Sequence, residues 1–341
     1  MIISRTPFRI SFFGGGTDYP VWYEKYGGAT LSTSIDKYTY ITVRQYPPFF
    51  PDKYRIVYSK IETVKMHDEI EHPSVREVLK FLNVNEGIEI HNAADLPARS
   101  GLGSSSSFTV GLLHALYRLV KQPVTKRGLA MDAIHVEQDL IKENVGSQDQ
   151  VAAAFGGFNK ITFGPNNAIE VEVINPPAGR LEALNDRLML FFTGFSRIAS
   201  QVAVEWIKSA PEKEKELHAM RNMVDEAINI LNDPRRPLDD FGRLLHETWQ
   251  IKRGLNHVIT TNEIDAIYER ARRAGAIGGK LLGAGHGGFM LIYADPSIQP
   301  RIREALKELF YVPFKFESFG THIIQNGTES IELIPKGDVR K

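Results

Sequence analysis

The chain has 341 residues, room for about two domains. Lys and Arg number 41 against 41 Asp and Glu, and a formal net charge of zero argues against nucleic acid held through its phosphate backbone. The absence of Cys removes disulfides, thiolate nucleophiles, iron–sulfur clusters and Cys-ligated zinc together.

Residues 1–13 alternate apolar with polar or small side chains, predicting a strand that runs into Gly14, Gly15 and Gly16. That opening lacks a signal-peptide pattern, and no apolar run reaches the ~20 residues that span a bilayer, so a cytoplasmic protein without a membrane partner is expected. Stretches 30–46 and 54–66, rich in Thr, Tyr, Ile and Val, predict further strands on either side of a Pro-bearing link. A short polar helix over 72–83 precedes a strand over 87–97. Then RSGLGSSSS (residues 99–107) meets the apolar run 108–120, which reads as strand, Gly-Ser loop and buried helix. A helix over 125–144 is expected to close at Gly146 through a left-handed cap, with another over 150–157. Turn residues 175–179 mark the expected domain boundary, giving domains 1–178 and 179–341. Helices are predicted over 200–209, 212–232, 238–255 and 262–275, then a glycine-rich loop, a strand over 289–294, a further helix, and strands over 314–319 and 322–325.

Three glycine-rich sites carry the candidate chemistry: Gly14 to Asp18, Gly101 to Ser107 and Gly283 to Gly288. The third matches the dinucleotide fingerprint G-x-G-x-x-G, but a helix lies upstream and a strand follows, the wrong context. A Walker A reading fails because Leu281 follows Gly279-Lys280 and Ala274 stands at the first Gly position. In the middle loop Gly101 and Gly103 let bare backbone approach a ligand, and Ser104 to Ser107 open a helix whose free N–H groups suit a polyphosphate. A serine N-cap or a flexible linker would use the same residues. Glu137 shares a helical stripe with Ala130, Ile134 and Ile141, a costly place for a charge unless a cation, a basic partner or water relieves it. Asp149 reads as a helix N-cap or as half of a catalytic pair. Asp18 is a cap or an acceptor for sugar hydroxyls, and Arg9 flanks the glycines from the strand side. His286 stands alone and is read as structural.

The stretches TPFRISFFGGGTDY, LPARSGLGSSSS and KLLGAGHGGF, in this order over about 290 residues, resemble the three motifs of the GHMP small-molecule kinases. The resemblance implies an α+β protein, with an N-terminal ribosomal-protein-S5-like α/β domain and a C-terminal ferredoxin-like α+β domain. It implies ATP and Mg2+ as cofactors and a small-molecule sugar or sugar phosphate as the partner, with a homodimer as a candidate assembly. By the same resemblance Gly101, Leu102, Gly103, Ser104, Ser105 and Ser106 form the phosphate loop, and Ser105 and Glu137 bind magnesium. Asp149 accepts the proton of the attacking hydroxyl, Arg9 supports it, and Gly14, Gly15, Gly16, Thr17 and Asp18 bind the sugar. Ser196 and Arg197 match a segment near the acceptor. Where galactokinases carry Glu-His this chain has Gly15-Gly16, which speaks against galactose and admits a longer or phosphorylated sugar. The form FRISFFGGGTD is similar to the D-glycero-D-manno-heptose 7-phosphate kinases, implying transfer to the anomeric C1 hydroxyl for nucleotide-activated heptose synthesis. A kinase for a fucose-, mannose- or galactose-type sugar, or a non-catalytic ATP- and sugar-binding regulator, are the alternatives.

Overall fold

The computed structural model describes residues 1–194 and 212–327, so Ser196, Arg197 and the helix expected over 200–209 lie outside the described residues. The first half runs β1 (Ile2–Phe13), α1 (Pro20–Tyr26), β2 (Gly28–Gln45), β3 (Tyr54–Val57), β4 (Ile61–Val64), α2 (Pro73–Phe81), β5 (Ile88–Ala94), α3 (Ser104–Leu119), α4 (Lys126–His135), α5 (Gln148–Phe155), β6 (Phe158–Gly164) and β7 (Ala168–Val173). The second runs α6 (Arg180–Asn185), β8 (Leu188–Phe192), α7 (Glu214–Asn232), α8 (Asp239–Leu255), α9 (Asn262–Arg273), β9 (Gly278–Leu281), β10 (Phe289–Tyr293), α10 (Gln299–Ala305), β11 (Phe310–Tyr311), β12 (Phe316–Glu317) and β13 (His322–Asn326).

Among the described residues the first sheet runs β13-β1-β2-β5-β3-β4, with β6 and β12 also on β2 and β7 on β6. β3 and β5 are parallel, the other pairings antiparallel. β2 is long enough to serve two neighbours, pairing with β6 over Gly28–Thr33 and with β5 over Thr39–Gln45. The second sheet runs β11-β8-β10-β9. This is the α+β arrangement of two sheets that the resemblance implies. Residue 178 falls between β7 and α6, and the sheets lie on either side of it, except that β12 and β13 return to the first sheet.

Helix α3 lies on β1 and β2, and its Val110, Leu113 and Leu116 join Ile41, Val43 and Ile90 in one core. A second core spans the halves, joining Phe8, Ile10, Phe12 and Phe13 to Leu102, Phe241, Leu282, Phe289 and Leu291. β1 therefore alternates in burial only over its first residues and is buried on both faces from Thr6 onward. Each of its buried Phe rings contributes about 2 kcal/mol by leaving water.

Two expected elements differ and one element was not expected. The strand over 54–66 is a hairpin, because the chain reverses at Tyr58, whose N–H donates to Lys60 O (2.8 Å). The helix over 125–144 turns into a π turn over 136–140, closed by Ile141 N–H to Val136 O (2.9 Å). It is Lys142, at φ 63°, that takes the left-handed conformation, and Gly146 is not among the residues with positive φ. β9 forms where only glycine punctuation was visible. A strand therefore does precede Gly283, and the dinucleotide fingerprint fails because another strand follows it.

Candidate active site

The phosphate-loop segment turns from β5 into α3 with Arg99, Gly101 and Gly103 at φ values of 59°, 84° and 75°. Gly103 occupies the N-cap and no side chain caps the helix. Ser104 is the first helical residue, and its Oγ accepts from the Arg99 N–H (3.1 Å), folding the loop. The serine-cap reading thus gives way, and the linker reading fails because α3 is packed into the core. Uncapped first-turn N–H groups and the positive end of the helix dipole are what a phosphate needs. Leu102 is buried and accepts from the Arg9 N–H (3.1 Å), so it anchors the loop to β1 and offers a ligand only its main chain.

The loop between β9 and β10 backs onto this turn. Phe289 N–H donates to Ser100 O (3.1 Å). Gly283, at φ 70°, lies so close that a Cβ there would overlap the Gly101 backbone. His286 is structural, as expected: its N–H donates to Ile259 O (2.8 Å) and its Nδ1 lies 3.1 Å from Val258 O.

Glu137 lies fully buried in the π turn, a distortion often found at functional sites. Its Oε2 accepts from Ser106 Oγ (2.8 Å) and Gln150 Nε2 (2.5 Å), and Oε1 has no partner among the described residues. Burial outweighs the donors Thr109, Ser106 and Gln150 and pushes the carboxyl up to about 7. No Arg or Lys pairs with it among the described residues. An orphaned oxygen beside hydroxyls fits a hard cation such as Mg2+. The serine beside Glu137 is Ser106, whereas Ser105, expected there, is exposed. A helix turns about 100° per residue, so the inward face that takes Ser106 and Val110 excludes Ser105.

Arg9 on β1 and Asp149 in the first turn of α5 form a bidentate ion pair, Nε to Oδ1 and Nη2 to Oδ2, both 2.8 Å. The remaining Nη1 donates to Gly101 O (2.7 Å), so one guanidinium joins the carboxylate to the phosphate loop. Gly103 covers the pair, and a Cβ there would sit 3.3 Å from both Arg9 Cγ and Asp149 Cγ. Arg9 is buried, while the Asp149 side chain keeps 27% exposure. Asp18 approaches from the turn after β1, its Oδ1 accepting from Gly16 N–H (2.9 Å). Burial and the Asp149 charge push the Asp18 carboxyl up to about 6. Ser147 N–H donates to Asp18 O (2.8 Å), and a Cβ on Gly146 would overlap Asp18 Oδ2. Gly146 therefore serves close approach, which the sequence reading assigned to a cap. Thr17 is wholly buried, with Oγ1 shared between Gly14 O (2.8 Å) and Ala29 O (3.0 Å). Thr17 and Gly14 shape the turn, and Gly15, Gly16 and Asp18 are its candidates for substrate contact.

Two lysines that sequence spacing does not single out lie close to these residues. Lys280 on β9 is buried and its Nζ donates to Phe12 O (2.7 Å). Lys252 on α8 donates to Leu281 O (3.1 Å) and Gly283 O (2.5 Å). Burial, with Arg9 adding repulsion, pulls Lys252 down to about 7, and Lys280 also falls well below the ordinary lysine range. The signal lies in helical phase: given α8, Lys252 continues the buried row Leu245 and Trp249 at helical spacing.

Residues 70–157 match the family description "GHMP kinases N terminal domain" and residues 226–312 match "GHMP kinases C terminal". A D-glycero-alpha-D-manno-heptose 7-phosphate kinase of Campylobacter jejuni is 30% identical over 340 residues, covering 94% of this chain and 97% of that protein. The chain belongs to the GHMP kinase family. A galactokinase of Pyrococcus furiosus is 24% identical, with 93% and 96% covered. A crystal structure described as a D-glycero-D-manno-heptose 1-phosphate kinase from Bacteriodes thetaiotaomicron superposes with a TM-score of 0.77 at 25% identity, covering 95% of this chain and 99% of that one. This GHMP kinase is a sugar kinase, a phosphotransferase that uses ATP. Among its described residues no helix is long and apolar enough to cross a membrane.

Proposed function

We propose that this GHMP kinase phosphorylates the anomeric C1 hydroxyl of a heptose 7-phosphate, for nucleotide-activated heptose synthesis. The observation that carries the reaction is the Arg9–Asp149 pair beneath Gly103, which sets a partly exposed carboxylate beside an uncapped helix N-terminus. The substrate rests on the likeness to the Campylobacter kinase and on Gly15 and Gly16, whose missing side chains leave room beside Asp18.

Phosphoryl transfer depends on alignment and charge neutralisation. The N–H groups of Gly103 to Ser106 hold the terminal phosphates of ATP. Ser106, where Ser105 was expected, and Glu137 would hold Mg2+, which when bound would neutralise phosphate charge. Asp18 accepts hydrogen bonds from the sugar. Arg9 occupies one edge of the Asp149 carboxylate and fixes its plane, leaving the opposite lone pairs to take the C1 hydroxyl proton.

The test is an ADP-release assay over heptose 7-phosphate, heptose, mannose, fucose and galactose, with phosphorus NMR of the product. A 1,7-bisphosphate is expected, with heptose 7-phosphate preferred. Preference for an unphosphorylated sugar would overturn the substrate assignment, and binding of both ligands without ADP formation would leave a regulator.

A further inference from the structure

Lys252 is an ammonium whose hydrogen-bond partners are two main-chain carbonyls, Leu281 O and Gly283 O. No carboxylate forms a salt bridge with it among the described residues. Lys252 is half-buried, and a charge drawn partly out of water is ordinarily paired, so a lysine in this position lacks its counter-ion. The groups facing it explain why the protein supplies none. Arg9 comes from β1 and is already committed to Asp149. Lys280 comes from β9 and repels it. Asp18, from the turn after β1, attracts it without bonding to it. On its own helix, Arg253 is drawn off towards Asp265 (3.5 Å). Three basic residues, Arg9, Lys280 and Lys252, thus meet beside the phosphate loop with two carboxylates, of which Asp149 is already bonded to Arg9.

The position of Lys252 says which anion would fill the gap. It grips the carbonyl of Gly283, and Gly283 is packed directly on Gly101 of the phosphate loop. An ammonium has three N–H donors and two are used, which leaves one for a ligand. We propose that Lys252 is a phosphate-binding residue of the cleft, with a substrate phosphate group as its missing counter-ion. The phosphate is either the terminal one of ATP or the one the sugar acceptor already carries, and the inference rests on the kinase reading above.

The experiment compares wild type, Lys252→Met and Lys252→Arg by calorimetry, using four probes: an unreactive ATP analogue with Mg2+, ADP with Mg2+, heptose 7-phosphate and heptose. Removing one member of a desolvated charge pair is expected to weaken one phosphate-bearing probe by about thirtyfold or more. Loss confined to the ATP analogue, with ADP unchanged, assigns Lys252 to the terminal phosphate. Loss confined to heptose 7-phosphate, with heptose unchanged, assigns it to the acceptor. Lys252→Arg keeps the charge and is expected to restore most of the affinity.

A pH series gives a readout that a merely structural lysine would not move. The free Lys252 ammonium is held near 7 by burial and Arg9, so wild-type affinity for the affected probe is expected to fall between pH 7.5 and 9. Lys252→Arg is expected to stay flat, because guanidinium does not titrate there. Asp18 and Glu137, at about 6 and about 7, have largely ionised below that range and are common to both proteins. Unchanged affinities in Lys252→Met, or matching pH curves in wild type and Lys252→Arg, overturn the proposal while leaving the kinase reading intact. A wild type that binds none of the four probes overturns both.

Discussion

Replacing Glu137 by Gln separates what the site costs the fold from what it gives the reaction. In the folded protein burial holds the carboxyl at about 7, against an ordinary value of 4.5. Between those values the folded state keeps a proton that the unfolded chain has released, so stability falls as pH rises through that window and the loss is complete above it. At 1.36 kcal/mol per pKa unit the penalty reaches about 3 kcal/mol by pH 8. Glutamine removes the charge and keeps one acceptor for Ser106 and Gln150, but sets an amide where Oε1 has no partner, a cost of about 1 kcal/mol. Metal-free Glu137→Gln is therefore expected to be about 2 kcal/mol more stable than wild type at pH 8 and slightly less stable at pH 5. The assay is thermal unfolding in a chelator from pH 5 to 8.5. With excess Mg2+ the order at pH 8 is expected to narrow or reverse, and the variant should need more Mg2+ for half-maximal turnover. Parallel melting curves across the whole pH range would refute the argument, since they would mean that Glu137 carries no buried charge.

The other expectations concern the carboxylates around the acceptor. Asp149→Asn should fold normally, with Arg9 still bonded to its carbonyl oxygen, yet lose about a hundredfold or more in kcat, and turnover within about tenfold of wild type would remove it as the base. Gly146→Ala drives a methyl group into Asp18 Oδ2 and should raise KM for the sugar while nucleotide affinity, measured by calorimetry, is kept. Burial and Asp149 hold the Asp18 carboxyl near 6, so kcat/KM should fall as pH drops through that value and the sugar loses a charged acceptor. Asp18→Asn should flatten that acid limb, and an unaltered limb in the variant would assign it to another group.

Local pattern was enough for the elements that local pattern builds. Alternation gave β1, Thr- and Tyr-rich runs gave β2, and the apolar run after Ser107 gave α3, each of which the structure contains. The junction of glycines and serines at 101–107 was legible as bare backbone opening a buried helix, which the structure contains, because only the order of residues matters there. The meeting of Arg9 with Asp149, 140 residues away, is invisible to spacing and was reached through the resemblance. That Ser106 and not Ser105 lies beside Glu137 is not legible in sequence, because helical phase decides which hydroxyl faces the carboxylate, and the phase is set by where the helix begins. Starting at Ser104 behind a glycine cap, it turns Ser105 outward. Lys252 reads in the sequence as one charge among many on a polar helix. β12 and β13 could not be assigned to the first sheet from their own few residues, since their partners lie on β2 and β1, near the other end of the chain.

The carbonyls of residues 100–102 explain why the turn before α3 presents donors rather than acceptors. Ser100 O accepts from Phe289 N–H, Gly101 O from Arg9 Nη1 and Leu102 O from Arg9 N–H, so three successive carbonyls are turned into the protein and occupied. With its acceptors drawn back, the turn leaves its N–H groups for the cleft, and the local field is positive before any cation is counted. Two of these restraints come from the first strand and one from the opposite half of the molecule, which makes the loop of Gly283 to Gly288 a support for that turn. Gly283→Ala tests that dependence. Its methyl group would overlap the Gly101 backbone in a left-handed conformation already unfavourable for alanine, and one of the two segments must move. Affinity for an unreactive ATP analogue should fall while affinity for the sugar is preserved, and Phe289→Ala, which keeps its N–H, should disturb nucleotide binding less. Equal losses for both ligands would mean that the fold had failed as a whole. Unchanged nucleotide affinity would mean that the loop holds its shape without support from the second half.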